Sequence, residues 1–245
     1  MSEIVPKGKQ LDKTSKLLDD TLNSLVEGFT GIVASDRKDL ILSISHIFQR
    51  TRVVGLLKAL FIEWNQCREK GRIKDEYMNS EQHQECLQEM LDFLDKDSPD
   101  ERRFSILKAI FLGAAQETSL TKDSVLPQQY MSLCRTLSSG EVLVLQTTFA
   151  IADSGSWSTT KYARDWLSKV AEESGLHTSE LVEIHERKLI EKNLLTDRVT
   201  HDLGQKYADK GVDIGVNYRL TPLAIQMCKF IKEYDPECAI GKKED

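Results

Sequence analysis

The stretch His185-Glu186-Arg187-Lys188-Leu189-Ile190-Glu191-Lys192-Asn193-Leu194-Leu195, read with Tyr218-Arg219-Leu220-Thr221-Pro222-Leu223-Ala224, decides the fold. In the first segment His185 and Leu189 continue an apolar stripe begun by Leu181, Val182 and Ile184, a three- and four-residue spacing that predicts a helix over 178–193. Leu194-Leu195-Thr196 then reads as a short strand. In the second segment Val216 to Leu220 reads as a returning strand. Thr221 is placed to cap a closing helix, with Pro222 at its first position, where no amide proton is needed. A polar stretch with Gly204, Gly211 and Gly215 separates the two strands.

Upstream of this pair, Ser138-Ser139-Gly140-Glu141 has the spacing of a capping box, in which a serine and a glutamate three residues apart satisfy each other's backbone N–H groups. The cap and the length predict a helix through Val142, Leu143, Leu145, Phe149 and Ile151, despite the β-branched residues. A further helix is predicted over Thr159–Glu173, with Tyr162, Ala163, Trp166, Leu167 and Val170 inward and Gly175 as its stop.

Three helices, a strand, a glycine-containing loop, a returning strand and a closing helix follow the order of a winged helix-turn-helix. Over about 138–234 the chain resembles that class, as in MarR- and PadR-like regulators. The segment from His185 to Leu195 resembles the third helix entering the first wing strand, and Tyr218 to Ala224 resembles the second wing strand turning into the next helix. The resemblance implies that the third helix faces the DNA major groove. The expected exposed residues on that helix are Ser179, Glu180, Glu183, Glu186 and Arg187, with Glu183 and Arg187 spaced to pair. Three carboxylates facing a phosphate lattice repel it. The wing brings Arg198, His201, Lys206, Lys210 and Arg219 together with Asp197, Asp202, Asp209 and Asp213. From 139 to 235 there are 12 basic and 15 acidic residues, the opposite of the usual sign for a DNA-binding domain.

The N-terminal part reads as helix after helix. Leu17, Leu18, Leu22, Leu25, Val26 and Phe29 share one face, and Gly28 and Gly31 end that run. Asp36 is the expected cap of a long helix carrying Leu40, Ile44, Ile47, Phe48, Val54, Leu57, Leu60, Phe61 and Trp64, with Gly71 at its end. That broad stripe suits the centre of a bundle; the competing use is a homodimer seam. A third helix starts near Ser80, with Cys86, Leu87, Met90, Leu91 and Leu94 inward. Ser98-Pro99-Asp100-Glu101 predicts the start of a fourth, with Ser98 as cap. A short helix follows Pro127.

The chain has 245 residues and a net charge of −6. Its five cysteines and five histidines are dispersed, with no CxxC, HExxH or HxH, so neither a disulfide framework nor a metal site is expected. There is no P-loop, GxGxxG or GxSxG. His185 is expected as a packed, hydrogen-bonded core histidine, and Trp64, Trp157 and Trp166 as core or interface anchors. The N-terminus lacks an apolar signal segment, and the most apolar stretch is interrupted by charges, so a cytoplasmic protein is expected.

The expected architecture is therefore mainly α: an antiparallel helical bundle over 10–137, a winged-helix-like domain with a small β-hairpin over 138–235, and a flexible tail over 236–245. The expected function is a non-catalytic regulatory or interaction protein, without cofactor, acting through protein–protein contacts, with a homodimer among the expected partners. The alternative is a DNA-binding transcription regulator of the winged-helix class. The candidate interaction surface is Glu180, Glu183, Glu186, Arg187, Arg198, Lys206, Lys210 and Arg219.

Overall fold

The computed structural model describes residues 23–25, 27–29, 38–73, 75–116, 126–154, 163–201, 211–213 and 218–234. The expected cap Asp36, Trp157, the wing residues Lys206 and Lys210, and the tail 236–245 lie outside the described residues. The described part is mainly helical, and none of its helices is long and apolar enough to cross a membrane. The chain divides into two compact units, Met1–Arg135 with Tyr234–Asp245, and Thr136–Glu233.

In the first unit residues 23–25 and 27–29 are helical. They are followed by α1 (Lys38–Phe48), α2 (Thr51–Glu69), α3 (Asp75–Met78), α4 (Glu81–Lys96), α5 (Glu101–Ala115) and α6 (Leu126–Arg135). The core forms around Phe29, Trp64, His83 and Phe111, all fully buried. The Trp64 indole stacks on the His83 imidazole with centroids 4.9 Å apart, and donates through Nε1 to the carbonyl of Gly28 at 3.0 Å. His83 Nε2 donates to the carbonyl of Phe29 at 2.7 Å. Both polar edges of the aromatic pair thus satisfy carbonyls of the N-terminal helical residues. Gly28 is needed for this approach: a Cβ there would meet Phe61 Cε2 at 2.6 Å.

The single helix expected across Leu40–Trp64 is two helices. Arg50 leaves helical geometry (φ −109°, ψ 92°) between α1 and α2. The reason is tertiary. The displaced Arg50 guanidinium donates to the carbonyls of Leu94 at 3.0 Å, Asp95 and Asp97 at 3.2 Å. These lie at or just past the C-terminal end of α4, where orphan carbonyls and the helix dipole attract a cation. Apolar periodicity alone cannot register that partner. Gly71 does end α2, in the left-handed conformation (φ 67°).

Ser80 caps α4 as expected, its hydroxyl accepting from the His83 amide at 3.1 Å. The start of α5 differs from expectation. Asp100, not Ser98, is the cap, accepting from the amides of Arg102 and Arg103 at 3.1 Å each. A carboxylate two residues further along caps the same turn and adds a negative charge at the positive helix end.

The second unit contains α7 (Ser139–Asp153), α8 (Ala163–Ser174), α9 (Ser179–Glu191) and α10 (Pro222–Glu233). The β-branched stretch 142–148 is helical, and the capping box is complete: Ser138 Oγ accepts from the Glu141 amide at 3.3 Å, and Glu141 accepts from the Ser138 amide at 2.8 Å. Thr221 Oγ1 accepts from the Ala224 amide at 3.2 Å, capping α10 with Pro222 in its first position. α9 packs on both α7 and α8, and α10 packs on α7.

Extended pairing is sparse. Leu195 and Leu220 form one isolated antiparallel bridge, and β1 (Val199–His201) pairs antiparallel with β2 (Gly211–Asp213), Thr200 opposite Val212. The expected run 194–196 is preceded by left-handed Asn193 (φ 57°), and in the expected run 216–220, of which 216–217 lie outside the described residues, Tyr218 (φ 51°) and Arg219 (φ 67°) adopt left-handed backbone. These conformations turn the chain instead of extending it.

Candidate functional site

The orientation of α9 is set at its start. Gly175 (φ 72°) and His177 (φ 63°) reverse the chain after α8, and Thr178 enters α9 in extended geometry without a side-chain cap. The buried residues of α9 are Val182, Glu186 and Leu189. Their i, i+4, i+7 spacing defines one narrow stripe. Leu181 and Ile184, expected inward, lie off that stripe and are exposed, at 42% and 48%. At about 100° per residue, a helix contacting its neighbours through one stripe cannot also bury both of them.

Glu186, expected on the exposed face, is 2% exposed. Its Oε1 accepts from Trp166 Nε1 on α8 at 2.8 Å. Its Oε2 accepts from Arg219 Nη1 at 2.8 Å and from Arg198 Nη2. Arg219 is itself buried. Its Nε donates to the Thr196 carbonyl at 2.8 Å, and its own carbonyl accepts from the Thr196 amide at 2.8 Å. The left-handed backbone of Arg219 accompanies this inward placement. Beside it Tyr218 stacks on Trp166, centroids 5.2 Å apart. A carboxylate buried this deeply is tolerable only because both oxygens are hydrogen-bonded and a counter-charge is present.

A second ionic group sits at the C-terminal end of α9. Glu141, buried within its capping box, meets Lys192 at 2.8 Å and Lys188 at 3.7 Å. Burial pushes its carboxyl up, but the hydrogen bonds from Lys192 and the Ser138 amide, with the two ammonium charges, outweigh it and hold the group below its ordinary range. The His185 ring lies over Gly140, where a Cβ would fall 2.2 Å from Nε2. His185 is half-buried, and its buried Nδ1 has no hydrogen-bond partner, so it is not the fully bonded core histidine expected. Burial, with the nearby Lys188, holds its pKa below the ordinary value against the opposing pull of Glu141.

Of the expected surface residues, Glu180 is exposed. Glu183 and Arg187 form the anticipated i, i+4 pair at 3.2 Å. Glu186, Arg198 and Arg219 converge inside the unit rather than on its face. The outward residues of α9 are thus Leu181 and Ile184, framed by Glu180, Glu183, Arg187, Lys188 and Glu191. Sequence reasoning missed Glu141, Trp166 and Lys192 as members of the ionic groups. Glu141 was visible only as a cap. The inward turn of Glu186 was signalled by its spacing from Val182 and Leu189.

A groove of about 530 Å³ lies between α7 and α10, walled mainly by Phe149, Ala150, Cys228 and Ile231, with Asp153 and Lys232 paired at its mouth. Burial pushes the Cys228 thiol up to about 12, so it is neutral in the groove. Among the described residues no three His, Cys, Asp or Glu side chains are grouped to hold a metal ion. No family model matches the chain, and neither a curated protein nor a solved structure matches it.

Proposed function

We propose that this chain is a non-catalytic regulatory or interaction protein whose second unit is a winged-helix-like domain that docks onto protein through the outward face of α9. The element order of that unit, with the Leu195–Leu220 bridge and the β1–β2 pair as the base and body of a wing, supports the fold reading. The observation that carries the function is the pair Leu181 and Ile184, exposed one turn apart on the helix that a DNA reader presents to the groove. Covering their exposed halves contributes on the order of 1 kcal/mol each to an association, and gives nothing against a phosphate backbone. Their rim carries three carboxylates and two cations, a mixture suited to a protein surface rather than to a polyanion. Arg198 and Arg219, which a wing would offer to phosphates, are bound to Glu186 instead.

The test has two arms. Titration against random duplex DNA at low and moderate salt is expected to give no binding; micromolar binding that falls steeply with salt overturns the proposal in favour of a DNA reader. Affinity capture with the wild-type chain is then compared with Leu181→Glu/Ile184→Glu and with Leu42→Glu, a control on an exposed leucine of the first unit. A partner held by wild type and control but lost from the α9 variant supports the proposal. Equal capture by all three overturns it.

A further inference from the structure

The outward face of α9 carries its charges in a definite order. Glu180 lies one turn before Ile184 on that face, Arg187 and Lys188 lie one turn after it, and Glu191 lies two turns after it. These residues and Leu181 are all exposed. Among the described residues Glu180 and Glu191 form no ion pair. Arg187 meets Glu183 in a solvent-exposed pair, which holds it weakly. Lys188 stands 3.7 Å from Glu141, yet half of its side chain is exposed. At the start of α9, Thr178 provides no side-chain cap, so no side chain closes the positive end of the helix there.

We propose that this face docks on a second copy of the chain, α9 against α9, antiparallel about a two-fold axis at Ile184. The inference rests on the reading of α9 as a docking helix and names its partner. A two-fold axis at Ile184 brings each residue before it level with one after it on the second copy. Glu180 then comes beside Arg187 and Lys188 of the second copy, and symmetry forms the same contact twice. Leu181 lies against the aliphatic stem of Lys188 of the second copy, and the two Ile184 side chains meet at the axis. Glu191 arrives at the uncapped start of the facing α9, where the helix dipole favours a carboxylate. A parallel copy sets Glu180 against Glu180 and Arg187 against Arg187, which repel. The face is therefore its own complement in one orientation. A face for an unrelated protein has no need of charges that reverse about an apolar centre. A seam built on one helix of 13 residues is smaller than a standard stable interface, so the dimer is weak and depends on concentration.

The experiment is sedimentation of the full chain over a concentration series at low salt. The mass is expected to rise from one chain toward two as concentration increases, and the rise is expected to shrink in high salt. Leu181→Glu/Ile184→Glu is expected to remain monomeric, and Leu42→Glu, on the first unit, to behave as wild type. Glu180→Arg and Arg187→Glu each turn two attractions into repulsions, and each is expected to weaken self-association about tenfold. An equimolar mixture of these two variants is expected to regain the dimer, because each introduced arginine then faces an introduced glutamate. Variants that had merely misfolded do not rescue one another. A wild-type mass of one chain throughout, a dimer that survives Leu181→Glu/Ile184→Glu, or a mixture no tighter than its components overturns the proposal. The docking reading is judged separately by the captured partner: a monomeric wild type whose partner is lost from the α9 variant leaves α9 a docking helix for another protein, and a partner captured equally by all variants removes that reading as well.

Discussion

Replacing Glu186 by Ala tests the ionic anchor of the second unit most directly. The substitution removes the acceptor of Trp166 Nε1 and, among the described residues, the counter-charge of buried Arg219. Leaving one buried donor unsatisfied costs about 1–3 kcal/mol, and breaking a buried ion pair from one side costs about 3–5 kcal/mol. These losses overlap, so the expected destabilisation is about 4 kcal/mol. With an m-value of about 1.5 kcal/mol/M in urea, the midpoint of this unit moves down by roughly 2.5 M. Fluorescence of Trp166, isolated by a Trp64→Phe/Trp157→Phe background, follows the transition. The double variant Glu186→Met/Arg219→Met is expected to regain part of the loss, because it removes the buried charge of Arg219 while Trp166 Nε1 and the partly exposed Arg198 still lose their partner. A midpoint shift below about 0.5 M for Glu186→Ala, with the m-value unchanged, would refute the buried carboxylate as the organising contact.

Other outcomes follow from the caps, the glycine contact and the titrating groups. Asp100→Ala is expected to destabilise the first unit by about 1 kcal/mol and Ser98→Ala to leave it nearly unchanged, in chemical denaturation; the reverse order would return the cap to Ser98. Gly140→Ala drives a methyl group into the His185 ring and is expected to cost about 1–3 kcal/mol, with relief by His185→Ala in a double-mutant cycle. Acidification is expected to weaken the second unit in two steps. His185, with a pKa below its ordinary 6.5 in the fold, contributes stability that is complete above that value and is lost as pH falls through it toward the folded value. Glu141, held below its ordinary 4.5, contributes stability that is complete above 4.5 and is lost as pH falls toward its own depressed value. In denaturation followed against pH, His185→Gln removes the upper step, and stability rising on acidification would refute both assignments.

Local chemistry was legible in the sequence wherever a few adjacent residues decide the outcome. Ser80, the Ser138/Glu141 box, Gly71, Gly175 and Thr221-Pro222 each act within one helical turn, so their spacing in the chain is also their spacing in space. The pairing of Glu183 with Arg187 follows for the same reason.

What the sequence by itself determined is therefore the mainly helical character of the chain and the caps and stops that act within one turn, because capping and periodicity are short-range. Tertiary structure alone decided which face each helix buries and where long-range partners meet. Arg50 breaks a continuous apolar stripe to reach carbonyls 44 to 47 residues away. Glu186 turns inward because Trp166, Arg198 and Arg219, from three other parts of the chain, converge on it. Leu181 and Ile184 are left outside by the same choice of stripe. A carboxylate's exposure depends on the charges that the fold brings to it, and those are not written beside it in the chain.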